Sequence, residues 1–415
     1  MNAKLRIRST LLIILSVLIC LSSAPYLTHY LFGSYYVLFS GLCSLLLFFT
    51  VFPFRKIKID NWIKILLVFI TSFLLYGCLM MLRDGTLHDI RKFVGMFIKV
   101  LFIFGSIIII RKKYNSYLSF IFGINIVIII LSILLFILLF IGIDIPSISF
   151  TKLDGRSHSF FWIGATNIIL NLGGSNIIRI AGFADEPGAF ALIITYLLVL
   201  NEFTYQSLKI RILLVIAGSL SFSLAFFITL PLFCLYWVLR SLITLKSMTI
   251  ILCFILLLWL AVNSIPSLEG LKLSAEFLIF ERFEISSEVE ADVLIKGDNR
   301  SHAIPVQKQA FKNNPILGVG ANPDNLMTYM LGYPNFFSYL ALHGIYGYLF
   351  FYIPFFALMY KYRKRKEIIL FLALLLNYMQ RPSIEDMFAM ICFSLIYYSS
   401  LFNSDNKRLK EQISV

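Results

Sequence analysis

Two polar segments of the chain carry the residue types that could perform chemistry. The first runs Arg179-Ile-Ala-Gly182-Phe-Ala-Asp185-Glu186-Pro187 directly into an apolar stretch. Pro187 suits the first position of a helix, where its missing N–H group is not needed, and it favours extended backbone at Glu186. We therefore expect Glu186 at a helix N-terminus, near Arg179. The pattern fits either a structural arginine–glutamate pair or a carboxylate and a guanidinium that act on a substrate.

The second segment lies further along the chain, and its glycines and prolines indicate tight turns. Its candidate residues are Asp298, Arg300, His302, Gly318, Gly320 and Asn335. Arg300 is the second arginine placed close to the end of an apolar stretch. Two guanidinium groups are what a diphosphate needs, because each forms two parallel hydrogen bonds with phosphate oxygens. The alternative is a surface loop in which these residues only fold the chain back.

The elements that position these segments are membrane helices, because 59% hydrophobic and 16% aromatic residues exceed what a soluble domain can bury. We predict one polytopic, all-α integral membrane domain over residues 1–415 with about 12 transmembrane helices. The region around Ser219 to Ser223 fits either one kinked span or two short ones. The predicted spans lie near residues 9–24, 33–54, 62–82, 93–110, 117–142, 187–202, 209–223, 225–239, 248–265, 336–360, 367–380 and 387–402.

The net charge of +14 follows the positive-inside rule rather than the pattern of a nucleic-acid-binding protein. Alternate connecting segments hold 22 of the 36 lysines and arginines but only five of the 22 acids. We therefore predict cytoplasmic N- and C-termini. Two long loops, residues 143–186 and 266–335, then face the extracytoplasmic side, with short amphipathic helices in the second.

Other kinds of site find no support in the sequence. All six cysteines lie in apolar stretches, so no disulfide framework or thiolate metal site is indicated. The five histidines are scattered singly, without the paired spacing of zinc ligands. No glycine-rich nucleotide loop is present. We expect a reaction that uses no metal, no cofactor and no nucleotide, and that draws its energy from an activated substrate.

The order, spacing and sidedness of these motifs resemble the superfamily of O-antigen polymerases (Wzy) and O-antigen ligases. The resemblance rests on Arg-x-x-Gly-x-x-x-Glu-Pro ending at Pro187, on Arg300 before an amphipathic stretch, and on Asn-Pro-Ile-Leu-Gly-Val-Gly ending at Gly320. Asn335, with Gly344 and Gly347 in the following span, completes it. The motifs cover about 60 residues.

The resemblance implies a multi-pass glycosyltransferase of the bacterial inner (plasma) membrane. Such an enzyme moves a glycan, with inversion, from undecaprenyl diphosphate at the extracytoplasmic face. A polymerase extends the next lipid-linked repeat unit, whereas a ligase transfers the glycan to the lipid A core of lipopolysaccharide. Ligases typically carry His-Asn where this chain has Pro334-Asn335, which favours a polymerase of O-antigen, capsule or exopolysaccharide. Membrane lipids, a chain-length regulator and a flippase are the expected partners, and no nucleic acid is expected.

Charge suggests a role for each candidate residue. Fixed cations aimed at the departing diphosphate lower the barrier, and Arg179 and Arg300 are the candidates. A base must take the proton of the attacking hydroxyl; Glu186 is the first choice, before Asp298 and His302. A helix N-terminus weakens a carboxylate as a base, so Glu186 could instead orient Arg179 or the acceptor sugar. The expected substrate-binding residues are Gly182, Pro187, Gly318, Gly320, Asn335 and Lys99.

The position of Lys99 inside a predicted span has two explanations. Its amine either attracts the lipid diphosphate or extends to the membrane interface without a role in the reaction. The rival class for the whole protein is a flippase for lipid-linked oligosaccharides or another secondary transporter. Such proteins concentrate charges and interrupted helices at mid-membrane. Here, the charges concentrate in the two outer loops, which favours an enzyme.

Overall fold

The computed structural model describes most of the chain. It covers residues 3–22, 35–51, 59–84, 87–151, 157–161, 165–172, 175–184, 186–241, 301–320, 322–332, 335–381 and 386–413. Asp298, Arg300 and the predicted span 248–265 lie outside the described residues.

The described residues are mostly helical, as predicted. The helices are α1 (Ala3–Ser22), α2 (Tyr35–Val51), α3 (Asn61–Asp84), α4 (Leu87–Phe140), α5 (Pro187–Phe203), α6 (Leu208–Leu220), α7 (Leu224–Leu239), α8 (Ile304–Asn313), α9 (Pro323–Thr328), α10 (Phe336–Tyr362), α11 (Ile368–Gln380) and α12 (Met387–Ile413). Three are long and apolar enough to cross a membrane, within Asn61–Met81, Phe97–Phe140 and Phe336–Tyr362, and five shorter apolar helices accompany them in the described part of the chain. The membrane class is thereby supported, and the count of twelve spans stays a prediction.

Helix α4 is two helices joined at a break. Its 54 residues would extend about 80 Å if straight, more than twice the hydrocarbon thickness of a bilayer. The backbone leaves the helical region at Lys113 (φ −136°, ψ 40°). This residue lies between the predicted spans 93–110 and 117–142. Residues 209–240, for which the sequence allowed one kinked span or two short ones, form two helices, α6 and α7. Phe222, in the turn between them, has a φ of +47°.

The first long loop contains a sheet, which the prediction of an all-α fold did not include. Strands β1 (Ser147–Thr151), β2 (Ser157–Phe161), β3 (Ala165–Leu172) and β4 (Ser175–Gly182) pair antiparallel in chain order. Ile178 and Ile180 of β4 are buried, and Arg179 between them is half-buried. That alternation is the period-two pattern of a strand with one buried face. Ile178 and Ile180 therefore share the buried face of β4, and Arg179 lies on the other face, where it reaches the turn between α6 and α7.

Helix α5 lies at the centre of the bundle, and nearly all its side chains are buried. It packs against α6, α7, α11 and α12. A second packed interface joins α3 to α10 through stacked rings, with Phe69 and Phe350 centroids 4.6 Å apart. The Tyr76 hydroxyl and Nδ1 of His343 are 2.9 Å apart in the same interface. His343 therefore belongs to helix packing.

Two groups of polar contacts between elements bear on the predicted sidedness of the connecting segments. In one group, Arg179 of β4 reaches the turn between α6 and α7, and Glu186 pairs with Arg381 after α11. In the other, the Tyr398 hydroxyl donates to Asp60 (3.2 Å), and Arg240 pairs with Glu367 (3.0 Å). Each group joins only segments that the charge pattern assigns to the same side.

Candidate functional site

The first polar segment leads into α5 as its sequence predicts. Pro187 is the first residue of the helix, and Glu186 is the N-cap with extended backbone (φ −160°, ψ 159°). The carbonyl of Glu186 accepts hydrogen bonds from the N–H groups of Ala189 and Phe190, both at 3.1 Å. Its side chain makes no capping bond to its own helix. The carboxylate is therefore turned toward another element.

That element is the connection between α11 and α12. Arg381 caps the C-terminus of α11, and its guanidinium forms an ion pair and hydrogen bond with Oε1 of Glu186. The side chains are 18% and 12% exposed, so the pair is packed in protein yet reachable from the end of the bundle. A Cβ at Gly188 would lie 2.7 Å from Nη2 of Arg381. Glycine at this position makes room for the guanidinium against the first turn of α5.

Arg179 has different partners. Its Nε donates to the carbonyl of Ser221 (3.2 Å), and its Nη2 donates to the carbonyl of Phe222 (3.0 Å). These carbonyls belong to the turn that ends α6, where helix geometry leaves backbone acceptors without an intrahelical donor. A guanidinium suits them because it presents two donors in a rigid fork. Arg179 therefore braces the α6–α7 turn against the sheet.

Gly182 is held in place by packing. Its φ of +58° is a conformation that side-chain-bearing residues rarely adopt. A Cβ there would lie 2.3 Å from the Phe190 ring, so the ring of α5 rests directly on the glycine. The end of β4 is thereby fixed to α5, four residues before Glu186.

A buried polar cluster lies between α5 and α11 beneath the ion pair. Asn377 Nδ2 donates to Oγ1 of Thr195 at 3.1 Å, and the hydroxyls of Tyr196 and Tyr378 are hydrogen-bonded. Asp386, at the start of α12, is only 9% exposed and interacts electrostatically with both tyrosines. Within the described part of the chain, Oδ1 of Asn377 has no hydrogen-bond partner.

The second polar segment meets a break in α10. Gly344 has φ +66° and ψ −176°, which interrupts the helix after two turns. The loop 314–320 supplies the missing backbone partners on both sides of the break. The bonds are Val319 N–H to Ala341 O (2.8 Å), Gly320 N–H to Leu342 O (3.2 Å), Ile345 N–H to Pro315 O (2.8 Å) and Tyr346 N–H to Ile316 O (3.1 Å).

Glycine is needed on both sides of this contact. A Cβ at Gly318 would lie 2.5 Å from the carbonyl of Leu342, and one at Gly344 would lie 2.2 Å from the carbonyl oxygen of Ile316. Both obstacles are backbone, which cannot turn aside as a side chain would. Gly318 and Gly320 also have positive φ, +70° and +78°. The predicted tight turns are present, and they serve to insert the loop into the helix.

Asn335 caps α10 and ties it to α8. Its Oδ1 accepts from the N–H of Ser338 (3.0 Å), and Ser338 Oγ accepts from the N–H of Asn335 (2.9 Å), a capping box. Asn335 Nδ2 donates to Oε1 of the fully buried Gln307 (2.8 Å). Gln307 in turn donates to the carbonyl of Met330 (3.0 Å).

The remaining predicted residues lie elsewhere. His302 is exposed in the 3₁₀ turn Ser301–Ala303 ahead of α8. Lys99 is half-buried in the first half of α4. In the described part of the chain, no three of His, Cys, Asp and Glu gather closely enough to hold a metal ion.

Neither Arg381 nor Gly188 is among the candidate residues that the sequence predicts. The sequence did contain a signal for the pair of Arg381 and Glu186. Arg381 directly follows the predicted span 367–380, and Glu186 directly precedes the span 187–202. The charge pattern places both span ends on the outer side. Comparison with known proteins adds no relative, because no protein-family model, curated protein or solved structure matches the chain.

Proposed function

We propose that this chain polymerises polyprenyl-diphosphate-linked oligosaccharide repeat units by inverting glycosyl transfer, without metal or nucleotide. The proposal rests on the position of Glu186. Its carboxylate is held by Arg381 at the accessible N-terminal end of the buried helix α5. The undecaprenyl carrier, the outer face of the bacterial inner membrane and a polymer of O-antigen, capsule or exopolysaccharide are proposed with it.

In the proposed reaction, Glu186 takes the proton of the acceptor hydroxyl as the hydroxyl oxygen attacks the anomeric carbon. A base in hydrogen-bond reach accelerates such a step by about 10²- to 10⁴-fold. The bond from the anomeric carbon to phosphate breaks, and its electron pair leaves with the lipid diphosphate. A well-placed cationic donor stabilises that charge by about 3–4 kcal/mol, the role proposed for Arg300. Arg179 contributes by bracing the α6–α7 turn beside the site.

Two observations support an extracytoplasmic site. The ion pair and the Arg179 contacts join segments that the charge pattern puts outside. The clustered cations Lys361, Arg363, Lys364, Arg365 and Lys366 lie at the far end of α10, where the positive-inside rule places the cytoplasm.

A transporter or flippase is the second candidate, because an interrupted membrane helix such as α10 often forms a substrate site. In transporters, the backbone groups freed at the break coordinate the cargo. Here, loop 314–320 occupies the carbonyls of Ala341 and Leu342 and the N–H groups of Ile345 and Tyr346. The break therefore favours an anchored loop over a transport site.

The test is polymer formation by purified protein in proteoliposomes supplied with lipid-linked repeat units. We expect polymer in EDTA and without nucleotide, and a loss of about 100-fold or more for Glu186→Gln. Glu367→Gln, which alters an ion pair in the other polar group, is the matched control and should retain activity. Activity that requires a divalent ion, or a Glu186→Gln variant as active as the wild type, would contradict the proposal.

Deletion of the gene followed by glycan electrophoresis separates polymerase from ligase. Loss of a polymerase leaves the core carrying one repeat unit, whereas loss of a ligase leaves the core bare. A bare core would contradict the polymerase and would fit either a ligase or a flippase.

A further inference from the structure

The C-terminal end of α10 carries a dense run of positive charge. Five exposed cations lie there: Lys361, Arg363, Lys364, Arg365 and Lys366. Helix α10 is long and apolar enough to cross a membrane, and Tyr362 is its last residue. The run therefore lies where a membrane helix leaves the hydrocarbon, on the side that the charge pattern assigns to the cytoplasm.

The carboxylates at the same end do not balance this charge. The structure describes three such side chains there, Asp60, Glu202 and Glu367. Glu202 pairs with Arg211 at 2.9 Å. Glu367 pairs with Arg240 at 3.0 Å. Asp60 returns one negative charge and the C-terminal end of α10 returns about half of one, so a positive surplus remains at the five cations.

Aromatic rings hold two of the cations in place. The guanidinium carbon of Arg363 lies 3.7 Å from the ring centroid of Tyr360, and its Nη1 donates to the carbonyl of Tyr360 at 2.9 Å. The amine of Lys361 lies 4.0 Å from the ring centroid of Tyr397 and donates to Oγ of Ser400. Because both side chains are already ordered, an anion that binds them loses little free energy to immobilising them.

Arg365 keeps unused donors within the described part of the chain. Its guanidinium lies 5.7 Å from the ring centroid of Tyr362 and has no hydrogen-bond or ion-pair partner among the described residues. Lys366, by contrast, donates to the carbonyl of Leu239 at the end of α7. Arg365 and Lys361 also repel each other. An anion between them offsets this repulsion, and a guanidinium matches two oxygens of a phosphate group.

An exposed apolar stripe runs along α10 to these cations. Its members share one helix face and are Ile345, Leu349, Phe356 and Tyr360. Tyr360, at the end of the stripe, is 67% exposed and lies under the guanidinium of Arg363. A tyrosine in this position is typical of the boundary between hydrocarbon and headgroups. One molecule with an apolar tail and an anionic head therefore fits the stripe and the cations together.

We propose that the basic end of α10 binds an anionic phospholipid. The phosphate lies among Lys361, Arg363 and Arg365, and an acyl chain lies along the stripe that ends at Tyr360. Each nearby cation strengthens the binding of an anionic headgroup by about fivefold, whereas a zwitterionic headgroup has no net charge to meet the surplus. This lipid site does not include Glu186 and needs no catalytic step, so it is independent of the proposed function.

The test is lipid selection by the full-length protein in nanodiscs that contain equal amounts of phosphatidylglycerol and phosphatidylcholine. Native mass spectrometry counts the lipids that remain bound to the released protein. We expect a preference for phosphatidylglycerol of about tenfold or more, because several cations contribute. Arg363→Gln and Arg365→Gln should each lower the preference by about fivefold. Lys209→Gln is the matched control: it removes an exposed cation of α6 at the same end and should leave the preference unchanged.

The absence of a preference in the wild-type protein would overturn the lipid site. An equal loss in Lys209→Gln would also overturn it, because the lipid would then respond only to diffuse surface charge. Arg365→Lys keeps the positive charge and should retain most of the preference. A loss as large as that of Arg365→Gln would show that the side chain acts on the fold rather than on the lipid.

Soluble glycerol 3-phosphate distinguishes a lipid from a free phosphate. It has a phosphate group but no acyl chain, so it should bind at least about tenfold more weakly than phosphatidylglycerol. Displacement of the lipid by an equal concentration of glycerol 3-phosphate would assign the cations to a soluble phosphate and overturn the phospholipid.

Discussion

At the scale of single residues, two arginines of the same polar group have different surroundings. Arg381 meets a carboxylate at the N-terminus of α5, and Arg179 meets two carbonyls at the C-terminus of α6. The carbonyls that end α6 suit a cation, because a helix C-terminus carries partial negative charge. Arg179 is therefore held by backbone acceptors, whereas Arg381, which follows α11 and lies against the first turn of α5, is held by the carboxylate of Glu186.

Arg179→Lys should lower both activity and stability. Lysine keeps the charge but loses the rigid fork that holds the carbonyls of Ser221 and Phe222 at the same time. An exposed loop arginine is replaced at little cost in stability. Loss of these two bonds instead predicts a destabilisation of about 1–3 kcal/mol. The thermal unfolding of the detergent-solubilised variant measures it, and polymerisation should fall by about tenfold. An unchanged melting temperature would contradict the bracing role.

At the scale of elements, the break in α10 is the main departure from regular structure. Broken helices are tolerated at membrane depth only when other groups satisfy the freed backbone. Loop 314–320 does so with four hydrogen bonds. Asn325 Nδ2 supports the loop by donating to the carbonyl of Val319 at 2.5 Å. The second polar segment is thereby fixed to a membrane helix.

Gly344→Ala should disrupt this junction. An added methyl would lie 2.2 Å from the carbonyl oxygen of Ile316, and alanine is strained at φ +66°. We expect a loss of about 2 kcal/mol or more, seen as a lower melting temperature and faster proteolysis of the loop. Gly332→Ala is the control, because its Cβ would meet nothing within 4 Å. Equal stability of the two variants would show that the loop does not depend on the glycine.

At the scale of the whole molecule, the two groups of polar contacts give the predicted topology a direct test. In a cysteine-free background, Ser149→Cys in β1 should react with an impermeant thiol reagent in intact spheroplasts, because β1 belongs to the first outer loop. Lys364→Cys should react only after permeabilisation, because positive charge is retained in the cytoplasm. The reverse pattern of labelling would invert the topology and place the proposed site on the wrong side of the membrane.

The features that depend on neighbours along the chain are predictable from the residues alone. Runs of apolar residues gave the helices, Pro187 gave the start of α5 and the extended backbone of Glu186, and glycines gave the turns at Gly318 and Gly320. Alternating isoleucines also marked β4, although the prediction of an all-α fold overlooked them.

Which polar groups meet depends on how the helices and the sheet pack together. Glu186 and Arg381 are 195 residues apart, and Arg179 is 42 residues from Ser221. Loop 314–320 and the break in α10 are also held together by backbone hydrogen bonds. Because backbone groups are common to nearly all residue types, the pattern of side chains does not specify this pairing. Local propensity fixes where a helix begins, but the partner of a charge depends on which helix ends the packed bundle brings together.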